Sequence, residues 1–444
     1  MKNTILFVFI AFYTLTACGQ QQTLKVVGKN LTQTNGQTIV MRGINYPIID
    51  DGNISLANAA QYQHKIDEAA KTGANTIRIP WYTNETHWRD LPGHPHYGTP
   101  GTIMGYVSNG HLSNLIGYCR TKGMIPVLEI HNVTCSNDWN AFNNVVMPWW
   151  KSPVILNLIE THKEYLVINL ANEFGTARWT GNTAAGMNVF KNNYNTAVAQ
   201  LRALNVKVPI MIDAPDCGQS SSELLAVAES MNASDPEHNL IFSSHAYWIG
   251  YAQNQGLVQA KLNEAQNTNV CYILGEVAST QDGSNEGECG LYSLASLYPI
   301  ILNEACTRNI GWLGWTYTLD CSSPREMTTN GEFNTLTAYG NDLVYNNVYG
   351  LKSAGSCAAT TLATAEFNQK SSFAVAPNPA QNTISIGGSD NIQKVKIFDA
   401  TGRLLKTIDT GFDQINIGFL KTGSYIIQAE MAGNRTISQQ LLKS

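Results

Sequence analysis

Between residues 39 and 315 the chain returns eight times to a short, mainly apolar run, and most of these runs lead into a stretch with helical apolar spacing. The runs are Ile39–Asn45, Asn75–Trp81, Ile125–His131, Leu166–Asn172, Val208–Asp213, Leu240–His245, Val270–Gly275 and Gly311–Trp315. A nearly continuous apolar run bounded by turn residues is the signature of a parallel strand buried on both faces. Helical periodicity predicts Asn58–Thr72, Leu112–Lys122, Val154–Lys163, Met187–Leu204, Ser221–Met231 and Tyr292–Arg308 between them. Eight strand–helix units in about 300 residues suit a closed (β/α)8 TIM barrel better than an open doubly wound sheet. No GxGxxG or Walker-type loop follows the first strand, which weakens the nucleotide-binding alternative. Leu24–Gln37, turning at Thr34–Gln37, reads as a hairpin plugging the barrel floor.

The pattern changes at both ends. Lys2, the apolar run Ile5–Leu15 and the small residues after it read as an export signal over residues 1–20. Leu15-Thr-Ala-Cys-Gly19 resembles a lipobox, which leaves two outcomes for Cys18: a lipid anchor, or removal by ordinary cleavage nearby. Residues 24–357 make the expected barrel, and the small, polar, aperiodic 358–372 reads as a linker. From 373 to 444 short alternating runs punctuated by glycine predict a small all-β sandwich.

Composition narrows the function. The chain has 444 residues, 43% of them apolar and only 14% charged, so Asn, Thr, Ser and Gly supply much of the polar surface. That suits an exported protein handling a neutral polymer. A net charge of −5 provides no basic stripe, so nucleic acid is not an expected partner. No run after residue 20 is long enough to span a bilayer. Besides Cys18 there are eight cysteines, an even number that favours disulfides in an exported chain. Their pairing is not readable. No CxxC pair or close His/Cys cluster occurs, so no metal site is expected.

The candidate chemistry lies at the carboxyl ends of the strands, where a barrel gathers its active residues. Glu173 and Glu276 each close an apolar run. Two carboxyl groups across one cleft are the minimum equipment for cleaving a glycosidic bond. Alternation places Asn169, Ala171 and Glu173 on one face of strand four, and Tyr272, Leu274 and Glu276 on one face of strand seven. Arg78, His131, His245, Tyr247 and Trp315 end other strands in phase with the interior, while Trp312 is expected to pack the barrel. Trp81, Trp179 and Trp248, at or near loops, are expected to stack on sugar, as are Trp149 and Trp150.

Seven motifs in order make residues 24–349 resemble glycoside hydrolase family 5: Met41–Asn45, Ala74–Ile79, Glu129–His131, Asn172-Glu173, His245–Tyr247, Gly275-Glu276 and Trp312–Trp315. The resemblance implies a retaining hydrolase with Glu173 as acid/base and Glu276 as nucleophile. It further implies that Asn172 binds the sugar 2-hydroxyl, that His245 and Tyr247 orient the nucleophile, that His131 lines the cleft and that Trp315 forms the sugar platform. Arg78 beside Glu276 would favour its ionised form, and an apolar setting would keep Glu173 protonated. No organic cofactor is implied, and a monomer is expected.

Tyr165–Glu173, Ile210–Ala214 with Gly218-Gln219, and Asn239–Ser243 bring the chain nearest the bacterial β-mannanase branch. It departs from that branch at Phe174, Cys217 and Trp248, all three expected at the cleft. The expected activity is therefore endo-β-1,4-glycan hydrolysis, on mannan or glucomannan first and on cellulose or another β-glucan second. Exo action and a catalytically silent glycan-binding barrel stay open. The tail resembles the type IX secretion sorting domain of Bacteroidetes through Ala376–Pro379, Val395–Arg403, Leu420–Ile427 and Lys443. That implies the type IX machinery as a partner and a secreted or cell-surface location.

Overall fold

The computed structural model describes residues 22–83, 103–283, 287–353, 374–387, 392–399, 403–431 and 435–444. The signal segment with Cys18, the linker 358–372, Cys357 and most of the loop 82–101 lie outside the described residues. The chain divides into two compact units, 1–362 and 363–444.

In the first unit eight parallel strands close a barrel: β1 (Arg42–Asn45), β2 (Thr76–Trp81), β3 (Ile125–Ile130), β4 (Val167–Asn169), β5 (Ile210–Asp213), β6 (Leu240–His245), β7 (Cys271–Val277) and β8 (Gly311–Gly314). Each is followed by its helix: α1 (Ala59–Ala70), α2 (His111–Thr121), α3 (Pro153–His162), α4 (Thr183–Ala203), α5 (Ser221–Ser234), α6 (Gln255–Asn267), α7 (Tyr298–Thr307) and α8 (Ala338–Tyr345). The Asn- and Thr-rich composition serves the helix starts. Asn58, Asn182, Asn254 and Thr337 cap α1, α4, α6 and α8 through their side chains, each cap contributing about 1 kcal/mol. The predicted helix Tyr292–Arg308 begins later than expected. Tyr292–Ser293 instead pairs with Thr280–Gln281 as a two-stranded ribbon.

Strand alternation sorts the interior into an apolar floor and a polar roof. Leu24, Val26, Leu31, Ile39 and Met41, from and beside a three-stranded N-terminal sheet, pack against Val127, Val167, Met211, Ile241, Ile273 and Leu313 inside the barrel. The expected floor plug is therefore present. Two residues further along several of these strands the polar groups begin with Glu129, Asn169, Asp213 and Ser243, all buried. Outward residues such as Leu128, Ile168 and Ile212 pack in the core shared with the helices.

At β1, Gly43 lies so close to β2 that a Cβ there would sit 1.8 Å from the Thr76 carbonyl oxygen. Gly43→Ala must push β1 and β2 apart, and the expected cost is about 3 kcal/mol. Urea unfolding would register it as a lower midpoint at unchanged slope.

The second unit is all-β. Ala374–Ala376, Thr383–Gly387 and Ile415–Asn416 form one antiparallel sheet, and Leu404–Ile408, Ile392–Asp399, Gly423–Met431 and Arg435–Lys443 form another. Alternating Ile384/Ile386, Val395/Ile397 and Ile427/Ala429 share a single core. Among the described residues no helix is long and apolar enough to cross a membrane.

Candidate functional site

Arg78 on β2 organises the roof of the barrel. It is fully buried and engages all five N–H groups. Nε donates to Asn169 (2.9 Å), Nη1 to Asn45 (3.0 Å) and Glu276 (2.8 Å), and Nη2 to Asn172 (2.7 Å) and Asp213 (3.3 Å). Glu129 lies 3.7 Å from Nη2. Burial opposes the guanidinium charge, but Glu129, Asp213, Glu276 and Glu173 outweigh it.

The two glutamates reach this layer by irregularities rather than by simple alternation. On β7, Cys271 and Ile273 face the floor, so Tyr272 and Leu274 face the helices instead of sharing the face of Glu276 as expected. A bulge between Leu274 and Glu276 shifts the register against β6 and turns Glu276 inward. Bulges next to active sites commonly re-aim a side chain in this way. Gly275 allows the turn, since a Cβ there would lie 2.2 Å from Ser243 Oγ. On β4 the ladder ends at Asn169 and Ala171 packs toward the helices, correcting the expected run to Asn172. Glu173 then adopts a left-handed backbone (φ 50°), and its N–H is held by Asp213 Oδ2 at 3.2 Å.

An oxygen of Glu173, an oxygen of Glu276 and a nitrogen of His245 all lie within 4.8 Å of one another. His245 Nδ1 lies 2.7 Å from Glu173 Oε1 and 3.4 Å from Glu276 Oε1. The imidazole thus bonds Glu173 and also lies within reach of Glu276, the residue the resemblance expects it to orient. Tyr247 donates to Glu276 Oε2 at 2.7 Å. Burial raises the Glu173 carboxyl above its ordinary range, His245 offsets some of that rise, and Glu276 and Asp213 add to it. Burial disfavours the His245 cation, but Glu276, Asp213 and Glu173 outweigh it and push the imidazole up to about 10.

Above this layer lies a cleft of about 620 Å³. His131, Asn172, Glu173, Trp179, Tyr247, Glu276 and Trp315 line it together with Thr134, Cys135, Cys217, Gln219, Asp282 and Arg325. His131 lies parallel to Trp315 at 5.9 Å and 3.2 Å from Glu129. The indole of Trp315 is pinned by its Nε1–H, which donates to Asp320 at 2.6 Å. Arg325 in turn bonds Asp320 and Asp282, both at 2.8 Å. A second cavity of about 650 Å³ beside the N-terminal sheet is walled by Leu156, Ile159, Val206, Val208 and scattered charges, without such a cluster.

Several expectations require correction. Trp81 and Trp248 are fully buried, as is Trp150, and Trp149 is nearly so. None of these rings offers a face to a sugar; among the five, Trp179 alone is exposed and in the cleft. Phe174 is also buried, stacked on Phe142, so of the three departures from the mannanase branch only Cys217 lines the cleft. The cysteines do not all pair. Among the described residues disulfides join Cys135 to Cys217 and Cys289 to Cys321, Cys306 is disulfide-bonded as well, and Cys119 and Cys271 are buried free thiols. Sequence reasoning passed over Asp213, Asn45 and Asp320, and gave Asn169 a place on the inner face of strand four without a role. Asp213 carried a usable signal, an acid ending β5 in phase with Met211. The Glu173–His245–Glu276 set has the donor types of a metal site, and in this structure its atoms are engaged with one another and with Arg78 and Tyr247.

Known proteins point the same way. Residues 374–444 match the secretion system C-terminal sorting domain, which supports export. Over 335 residues the chain is 27% identical to a mannan endo-1,4-β-mannosidase of Cellvibrio japonicus, covering 74% of this chain and 66% of the relative. A mannan endo-1,4-β-mannosidase of Streptomyces lividans is also 27% identical, with 73% and 74% covered. The mannotriose complex of the Thermomonospora fusca β-mannanase shares the fold with a TM-score of 0.57 at 21% identity, over 77% of this chain and 98% of that one. Residues 32–320, which span most of the barrel and reach Glu173, Glu276 and Trp315, match the family described as cellulase (glycosyl hydrolase family 5), and the chain belongs to that family.

Proposed function

We propose that the chain is an exported, retaining endo-β-1,4-mannanase. The observation that carries this is the spacing of two carboxyl groups, with oxygens of Glu173 and Glu276 within 4.8 Å of one another. Retaining hydrolysis needs carboxyls about 5–5.5 Å apart, whereas inversion needs roughly 6.5–9.5 Å to admit a water. Their surroundings differ as the roles require. Glu276 accepts from Arg78 and Tyr247, which aim it. Glu173 is raised toward the protonated form by burial and by neighbouring acids.

In the first step Glu276 attacks the anomeric carbon. The glycosidic C–O bond breaks, the departing oxygen takes the Glu173 proton, and a glycosyl ester forms on Glu276. In the second step Glu173 takes a proton from water, which attacks the same carbon and releases Glu276. Asn172 is oriented by accepting from Arg78 and donating to Thr134 (3.0 Å), which leaves one amide hydrogen for a sugar hydroxyl.

Mannan is favoured by the names of the two relatives and by the withdrawal of Phe174 and Trp248 into the core. β-Glucan is the second reading, because a relative at 22% identity is a β-mannanase/endoglucanase. Purified protein is to be incubated with mannan, glucomannan, carboxymethylcellulose and xylan, with products sized and the first anomer read by NMR. Oligosaccharides released as the β-anomer from mannan are expected. An α-anomer first would overturn retention, monomers alone would overturn endo action, and binding without cleavage would leave a glycan-binding barrel.

A further inference from the structure

The Cys135–Cys217 disulfide lies against the carboxyl group of Glu173. Cys135 sits in the loop after β3, Cys217 in the loop after β5, and Glu173 in the loop after β4 between them. The bond therefore joins the two loops that flank the acid. Cys135 Sγ is 3.2 Å from Glu173 Oε2. A disulfide sulfur carries no proton, so it meets that oxygen with a surface that cannot donate, and it occupies one side of the oxygen at the edge of the cleft, where Cys135 is exposed. The other oxygen, Oε1, is already engaged by His245 Nδ1 at 2.7 Å. A proton carried by this carboxyl group would therefore sit on Oε2, the oxygen beside the sulfur.

The surrounding backbone is costly to hold. Cys135, Glu173, Asp216 and Cys217 all adopt left-handed conformations, with φ between 50° and 58°. Such residues cost on the order of 1–3 kcal/mol each and persist where the surroundings over-determine them. The three loops are also tied directly: Gly175 N–H donates to the Ser136 carbonyl (2.8 Å), and Asp216 N–H to the Gly175 carbonyl (2.9 Å).

We propose that the Cys135–Cys217 disulfide is a positioning element for the acid, clamping the loops on either side of β4 so that one side of Oε2 is covered and its proton faces the cleft. This rests on the reading of Glu173 as acid/base. The charged and titratable groups facing Glu173 are Arg78 from β2, Asp213 from β5, His245 and Tyr247 at the end of β6, and Glu276 from β7. Removing the sulfurs leaves all five in place and changes only the hydration and aim of the carboxyl.

The test compares the full chain with its Cys135→Ala/Cys217→Ala variant. kcat/KM is measured against pH on a manno-oligosaccharide and on a dinitrophenyl β-mannoside, whose leaving group needs no proton. kcat/KM reports the glycosylation step, where Glu173 must be protonated. In the variant the alkaline limb on the oligosaccharide is expected to move down by about 1 pH unit, with a ~10-fold loss above it. The activated substrate is expected to change less than ~2-fold. An unmoved limb, or equal losses on both substrates, overturns the positioning role. If the variant does not fold, the native bond is opened in wild-type protein with a phosphine and verified by peptide mapping, and the same two readouts apply. Glu173→Gln is run alongside. A loss confined to the oligosaccharide supports Glu173 as the acid, so a negative cysteine result then sinks the positioning role alone. Equal or absent loss in Glu173→Gln removes both.

Discussion

Replacing Glu276 by alanine is expected to lower kcat on mannan by at least ~10⁴-fold, since among the described residues no other group is placed to form the covalent intermediate. The carboxylate sits between Arg78 (2.8 Å) and Tyr247 (2.7 Å), with His245 3.4 Å away. These contacts fix its direction of attack. The fold should survive, because Arg78 keeps Asn45, Asn169, Asn172 and Asp213 as partners. Circular dichroism and the thermal midpoint serve as the control. Wild-type-like turnover by folded Glu276→Ala would remove this residue from the mechanism.

Arg78→Ala should damage both activity and stability. It strips the cation from among Glu129, Asp213 and Glu276, which are all buried. Leaving buried charges uncompensated costs about 3–5 kcal/mol. Arg78→Lys should recover little, because one ammonium on a flexible stem cannot reproduce a planar fork serving five acceptors. The pH dependence provides a second readout. Burial would raise the Asp213 carboxyl, but His245 and Arg78 outweigh it and hold it at about 2. A depressed carboxyl contributes stability that is present above its unfolded value and lost as pH falls through its folded value. The wild-type contribution should therefore fade between about pH 4 and 2. In Arg78→Ala, acid unfolding should begin at higher pH, and an unchanged acid midpoint would show that Arg78 does not hold the acid cluster together.

Much of the site was legible because a barrel converts strand order into proximity. His131, His245 and Trp315 end apolar runs, and an inward-facing group at that end of a closed barrel reaches the same cleft. Where alternation is regular, counting residues also assigns the face, as with Arg78 and Asn169. It misassigned Tyr272 and Leu274 because a bulge adds a residue to one strand, and a bulge has no reliable mark in a sequence. The tryptophans failed for a related reason. Trp81 shares the outward face of β2 with Ile77 and Ile79, opposite Arg78, and Trp248 also packs into the core shared with the helices. Phe174 is likewise drawn into a stack with Phe142.

The disulfides divide similarly. An even cysteine count suggested full pairing, but pairing requires Cα atoms about 4.4–6.8 Å apart. Cys135 and Cys217 meet that at 4.5 Å across 82 residues, whereas Cys119 and Cys271 are packed as small apolar side chains. The order of apolar runs and the glycine-punctuated tail were sufficient for the barrel and the all-β unit, because both depend on local periodicity; the family and the export domain came from the resemblance of ordered motifs. Only the tertiary structure decided which oxygen of Glu173 meets sulfur, which way Glu276 turns and which indoles remain in the cleft. Those outcomes depend on contacts between segments far apart in the chain, and no local pattern encodes the distances between them.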